Sequence, residues 1–135
     1  MYDLIILGGG PAGYNAAERA GHAKLKTLVI EERALGGVCL NEGCIPTKTL
    51  LNSAKLYRHA TESEAFGVIA GKMEFQHDTV IDRKEKVRAT LVGGVAATMK
   101  AHKVTVVNAE AVIEGRDGSL EIQIVKAGVL RFDTW

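Results

Sequence analysis

Cys39 and Cys44 are the only cysteines in the chain, and four residues separate them in the stretch Gly37-Val-Cys-Leu-Asn-Glu-Gly-Cys-Ile-Pro-Thr-Lys48. Two thiols this close can cycle between dithiol and disulfide, which is a two-electron couple. The loop they close is so short that a disulfide would add only on the order of 2 kcal/mol in the chain-entropy model, which suits repeated opening better than stapling. If a helix begins near Cys44, that sulfur lies at the positive end of the helix dipole, where thiolate is favoured. Lys48 follows four residues later on the same helical face, so its cation can stabilise that thiolate or an adjacent anionic cofactor ring. Two other readings of the pair stay open. Zinc would need two more ligands, and His22, His59, His77 and His102 show no paired spacing to the cysteines, so no metal site is expected. Alternatively, both cysteines could be inert, since free cysteine often packs as a small hydrophobe.

The second chemistry-bearing pattern is Gly8-x-Gly10-x-x-Gly13, placed after an apolar run and before a small-residue helix. In that context the first glycine permits the tight turn. The second lets a pyrophosphate approach the backbone, and the third lets helix and strand pack closely. The helix N-terminus then favours the phosphate charge. Glu31 stands 18 residues after Gly13, where a carboxylate can accept the ribose hydroxyls. Glu32 and Arg33 beside it read as solvated. This unit alone does not separate NAD from FAD. The thiol pair tilts the cofactor towards FAD, because a thiolate can add to the isoalloxazine ring whereas a nicotinamide has no ready direct route to a disulfide.

These groups need a scaffold. Residues 2–7 read as a short strand buried on both faces, residues 12–20 as a helix with Ala12, Ala16, Ala17 and Ala20 at helical spacing, and residues 27–30 as a second strand. A helix over 44–59 carries Pro46 in its first turn and an apolar stripe of Ile45, Leu50, Leu51, Ala54 and Tyr57. Residues 61–77 form a connecting excursion. A long helix over 79–100 repeats Val87, Leu91, Val95 and Met99, with Gly93-Gly94 either weakening it or marking close packing. The last third changes period. Residues 104–107, their extension through 110–114, a turn at 115–118, the alternating Leu120, Ile122 and Ile124, and residues 129–132 read as a small antiparallel layer.

With 135 residues and 47% hydrophobic content the chain can bury one core. Its net charge of +1, with both signs mixed along the chain, gives no argument for nucleic acid or an anionic membrane as partner. The opening residues lack a basic segment and a long apolar run, so a soluble cytoplasmic protein is the expectation. In a reducing compartment a cysteine pair is more often catalytic or metal-binding than structural.

Gly8-Gly-Gly-Pro-Ala-Gly13 together with Gly36-Gly-Val-Cys-Leu-Asn-Glu-Gly-Cys-Ile-Pro-Thr-Lys48 strongly resembles the FAD-binding N-terminal region of the dihydrolipoamide dehydrogenases, a branch of the pyridine nucleotide–disulfide oxidoreductases. The stretch Gly93-Gly-Val-Ala-Ala-Thr-Met-Lys-Ala-His-Lys-Val-Thr-Val-Val107 is similar to the same branch. The resemblance spans essentially the whole chain and implies one Rossmann-like FAD-binding α/β domain over 1–135, incomplete relative to the family, with a parallel sheet, helices and a small antiparallel layer. It implies that Cys39 exchanges with the dithiol substrate, that Cys44 faces the flavin, and that Lys48 lies near the flavin's reactive nitrogen. Gly8, Gly10, Pro11, Ala12, Gly13, Glu31, Glu32, Gly37 and Val38 would join them in lining the cofactor site. Val38 departs from the family, which commonly has threonine there. The family further implies NAD as co-substrate, a lipoyl-bearing protein or small dithiol as partner, and a homodimer, with another copy able to satisfy an unpaired sheet edge. A second glycine-motif domain and an interface domain carrying a His–Glu pair are absent from these residues, so the four histidines read as surface or packing groups and the 135-residue chain is expected not to turn over alone. A disulfide reductase acting on glutathione-like or mercuric substrates, or a nucleotide-binding fragment without turnover, are the alternatives.

Overall fold

The computed structural model describes residues 1–116 and 119–127. Its elements run β1 (Leu4–Leu7), α1 (Pro11–His22), β2 (Thr27–Glu31), α2 (Gly37–Asn41), α3 (Cys44–Thr61), α4 (His77–Ala101), β3 (Thr105–Arg116) and β4 (Ser119–Ala127), with a 3₁₀ turn at Ser63–Phe66. The strands lie in that order in one sheet, with β1, β2 and β3 parallel and β4 antiparallel to β3. This is the expected α/β architecture, with a mixed sheet.

β2 is the most buried strand, and its side chains alternate between two cores. Val29 packs with Ala17 of α1, Met99 of α4 and Val104 on one face. Leu28 and Ile30 point the other way and pack with Ala109, while Tyr2, Val107, Ala111 and Ile122 partly cover them. Helices therefore close one face and the β3–β4 hairpin closes the other. A strand covered on both faces must be apolar throughout, which is why this run shows no polar alternation.

β3 corrects the expectation for the last third. The structure has one strand of 12 residues with two partners in place of separate pieces of an antiparallel layer. Residues 105–108 extend the parallel sheet beside β2, and residues 109–116 pair antiparallel with β4. A register shift between Glu110 and Ala111 follows the handover, as a bulge that bends the strand would. The expected strand at 129–132 and residues 117–118 of the expected turn lie outside the described residues.

The helices differ in smaller ways. α1 starts one residue earlier than expected because Pro11 at its first position already has the helical φ. Of its alanines, Ala17 and Ala20 are buried, whereas Ala12 and Ala16 are exposed. In α4 a Cβ on Gly93 or Gly94 would meet nothing within 4 Å, so these glycines do not mark close packing. They lie on an exposed face, where each costs about 1 kcal/mol relative to alanine. α3 buries Pro46 and Thr49, while Leu50, Leu51 and Tyr57 of its predicted stripe remain exposed. α2 was not expected, because five residues are too few to show a period. Among the described residues no helix is long and apolar enough to cross a membrane.

Candidate functional site

The glycine turn leaves β1 with Gly8 at φ +98°, and the Gly8 N–H donates to the Ile30 carbonyl at 2.8 Å. A Cβ on Gly13 would sit 1.8 Å from the Gly8 oxygen, so only glycine lets the first turn of α1 seat against the strand end. α1 is preceded by Gly10 and has no side-chain cap. Its first-turn amides therefore keep no side-chain acceptor and, with the helix dipole, can receive an anion. Glu31 closes this turn from the side. One carboxylate oxygen accepts from Gly9 N–H at 2.6 Å and the other from Arg33 N–H at 2.8 Å. A carboxylate has roughly four acceptor sites, so two remain for ribose hydroxyls. Glu32 is exposed, as its solvated reading expected.

The thiol segment is built directly onto this cradle. Gly36 N–H donates to the Gly9 carbonyl at 2.8 Å. Gly37 has φ +58°, and a Cβ there would come within 2.7 Å of the Gly10 Cα. Two glycine backbones thus touch, which places the start of α2, with Val38 and Cys39, beside the start of α1. The Val38 carbonyl accepts N–H groups from Glu42 at 2.9 Å and Gly43 at 2.6 Å, turning the chain into α3, of which Cys44 is the first residue. That start confirms the helix placement on which the Cys44 and Lys48 reading rests.

Both cysteines are free thiols, Cys39 half-buried and Cys44 exposed. The Cys39 thiol is pushed above its ordinary value of 9.0, first by its hydrogen bond with the Cys44 side chain, then by burial and by charge on Cys44. The Cys44 backbone N–H and the Lys48 cation pull it the other way. Lys48 is thus close enough for its charge to act on Cys39, in addition to the role beside Cys44 read from the sequence.

A brace from α4 holds this segment, and no sequence motif pointed to it. Asn41 donates to the carbonyls of Leu35 at 3.0 Å and Gly37 at 2.9 Å, and its own side-chain oxygen accepts from Arg88 at 3.2 Å. Arg88 donates to Glu85 at 2.7 Å, and Lys84 also pairs with that carboxylate. The hydrogen bond from Lys84 and then the one from Arg88 hold the Glu85 carboxyl below its ordinary 4.5. Asn108 of β3 performs a similar task at the other side of the loop. Its amide nitrogen donates to the carbonyls of Glu31, Glu32 and Arg33 at 3.0, 3.2 and 3.2 Å, while its buried oxygen has no partner among the described residues. The i, i+3 spacing of Glu85 and Arg88 was a visible signal, but nothing in sequence joins them to Asn41, and Asn108 carries no signal at all.

Gly8, Pro11, Ala12 and Val38 are exposed around the cradle, and a Cβ on Gly8 would meet nothing within 4 Å. Open amides, bare backbone and a carboxylate at the strand end fit a dinucleotide pyrophosphate and ribose, with the thiols alongside. Two depressions, of about 310 Å³ between α1 and α4 and about 330 Å³ beside the 3₁₀ turn, both lie away from the cradle glycines and the cysteines. His59 and His77 are exposed, as expected of surface residues, whereas His22 and His102 approach each other with ring centroids 4.1 Å apart.

Comparison with known proteins agrees with this geometry. The chain is 50% identical over 111 residues to the dihydrolipoyl dehydrogenase of Mycoplasma pneumoniae, covering 82% of this chain and 24% of that protein. It is 50% identical over 113 residues to the dihydrolipoyl dehydrogenase of Mycoplasma genitalium, covering 83% and 25%, and 48% identical over 105 residues to that of Bacillus subtilis, covering 78% and 22%. The chain thus spans about a quarter of the length of these curated relatives. Residues 2–127 match the family described as pyridine nucleotide-disulphide oxidoreductase, and the chain belongs to that family.

Proposed function

We propose that this chain is the FAD-binding, thiol-bearing part of a dihydrolipoyl dehydrogenase. The observation that carries the reading is the backbone contact of Gly37 with Gly10, which seats a helix bearing Cys39 against a phosphate-binding turn. The open amides of α1 would hold the FAD pyrophosphate, and Glu31 the adenosine ribose, with Gly8, Pro11, Ala12, Glu32 and Val38 around them. FAD, when bound there, would supply a two-electron acceptor.

The rest of the chemistry belongs to the two sulfurs. When they are joined, a dithiol substrate attacks Cys39 as thiolate, the Cys39–Cys44 bond breaks, and Cys44 leaves as thiolate. The second substrate thiol then attacks the mixed disulfide, releasing cyclic disulfide and the Cys39 thiolate, so the substrate loses two electrons and the protein gains them. Cys44 leaves into the start of α3, where the dipole stabilises negative charge. Cys39 leaves as thiolate in the second step, and the Lys48 cation, which favours its ionised form, assists that departure. Lys48 would balance negative charge on the thiol pair and on the cofactor ring.

In the whole enzyme the substrate is a dihydrolipoyl group on a carrier protein or a small dithiol, and NAD collects the hydride. We assign this chain the binding and thiol-exchange steps, in the cytoplasm, within a homodimer, and no NAD turnover of its own. The purified protein, reconstituted with FAD, should show a flavin spectrum that anaerobic dihydrolipoamide bleaches, and Cys39→Ser should keep the colour and lose the bleaching. A protein that stays colourless after reconstitution, or that glutathione bleaches as readily as dihydrolipoamide, defeats the assignment.

A further inference from the structure

We propose that Glu18, His22 and His102 form a binding site for a divalent transition-metal ion of the zinc class, separate from the dinucleotide and thiol site. One ligand atom from each of the three residues lies within 4.8 Å of the others. Zinc bonds of about 2.0–2.1 Å in tetrahedral geometry space ligand atoms roughly 3.4 Å apart. The difference is small enough for side-chain torsions to close. Two imidazoles and one carboxylate select Zn²⁺, Co²⁺, Ni²⁺ or Cu²⁺ over the oxygen-seeking Mg²⁺ and Ca²⁺, and leave a fourth position for water or an external ligand.

The fold makes this cluster in a way the sequence conceals. Glu18 and His22 are four residues apart on α1 and share a face. His102 is 80 positions beyond His22 and caps the C-terminus of α4. The two helix ends meet because residue 21 is glycine: a Cβ there would lie 2.6 Å from the His102 Cβ and 2.9 Å from its carbonyl oxygen. The same close approach brings the two rings to 4.1 Å between centroids, tilted by 44°.

Two further observations favour a cation. Both helices end in the same way, with Leu25 N–H donating to Ala20 and Val104 N–H to Met99, and with Lys24 and Lys103 at positive φ. The negative ends of the 12-residue and 25-residue helix dipoles therefore converge on this point. In addition, none of the three side chains hydrogen-bonds or ion-pairs with another group among the described residues, so their lone pairs are unspent. The site lies at the far end of α1 from the glycine turn, about 18 Å along a helix of that length. Metal here would tie α1 to α4 without touching the reacting groups.

The test uses the purified protein with Cys39 and Cys44 alkylated, because thiolates would compete for the same metals. Zn²⁺ should then bind with a dissociation constant on the order of micromolar and raise the melting temperature. Co²⁺ should give visible ligand-field bands without a near-ultraviolet thiolate band. His22→Ala should weaken both at least about tenfold, and Glu18→Gln should weaken them less. His22 is exposed, so its substitution should leave the metal-free melting temperature unchanged and keep the comparison valid. Equal zinc affinity in the native and His22→Ala proteins, saturation only at millimolar metal, or cobalt bands seen only with free thiols would overturn the site. None of these outcomes depends on whether FAD binds.

Discussion

Cys39 and Cys44 have the same chemistry and different surroundings. The half-buried Cys39 keeps its proton to higher pH mainly because it hydrogen-bonds with the Cys44 sulfur, so removing that sulfur should release it. In Cys44→Ala the pH at which Cys39 is half-maximally alkylated, followed by peptide mass spectrometry, should therefore fall towards the ordinary thiol range. A profile that is unchanged or moves upward would show that burial, and not the partner sulfur, controls Cys39. The cysteines, Lys48, the three cradle glycines and Glu31 were all legible in the sequence, since each belongs to a short pattern with a stated chemistry. The second duty of Glu31 was not. Its carboxylate ties the Gly9 and Arg33 amides together, and only the folded turn brings those donors to it.

At the scale of elements, α2 is the part most exposed to change. It has five residues, buries Leu40, and is held to α4 through Asn41, Arg88 and Glu85. An isolated helix of that length is not stable in water, so its order depends on these contacts. Glu85 titrates below its ordinary 4.5 in the folded protein. A depressed carboxylate contributes stability above its unfolded value and loses it as pH falls through the folded one. Hydrogen-exchange protection of α2 should therefore decline on acidification below about pH 4.5, and Glu85→Gln should remove that dependence. At neutral pH, Arg88→Met should lower protection at residues 37–41 by up to about fivefold, the size expected of a partly exposed ion pair of up to about 1 kcal/mol. Protection that is the same in the variant would show that the two glycine contacts alone hold the thiol helix. Of this brace, only the Glu85–Arg88 spacing could be read in advance.

In the whole molecule, β2 is sandwiched between helices and hairpin, and Met99 is the largest fully buried side chain among the described residues. It was expected to continue the stripe of Val87, Leu91 and Val95, yet Leu91 is 39% exposed whereas Met99 is 1% exposed. Only the C-terminal end of α4 crosses the sheet, where Met99 meets Ala17, Val29 and Val104. Met99→Ala should cost about 2–5 kcal/mol by denaturant unfolding, whereas Leu51→Ala, at 62% exposure, should cost less than about 0.5. Comparable losses at both positions would mean that something covers α3 in solution. The apolar stripe of α3 was readable as a pattern, but a pattern states only that a face is apolar, and the placement of the helix decides whether it is covered.

Sequence alone determined the β–turn–α–β unit, the thiol motif and the family resemblance, because each rests on local geometry that short spacing encodes. Glycine patterns, proline at a helix start and a run of β-branched residues act within a few residues of themselves. Tertiary structure alone decided which strand β3 joins, which helix faces are buried, and which distant groups converge. β3 shows why: its residues suit either a parallel or an antiparallel neighbour, and pairing with β2 over residues 105–108 and with β4 over residues 109–116 sets its two halves apart. The Glu18, His22 and His102 cluster follows the same rule. His102 is remote in sequence from Glu18 and His22 and meets them only because Gly21 lets two helix ends touch.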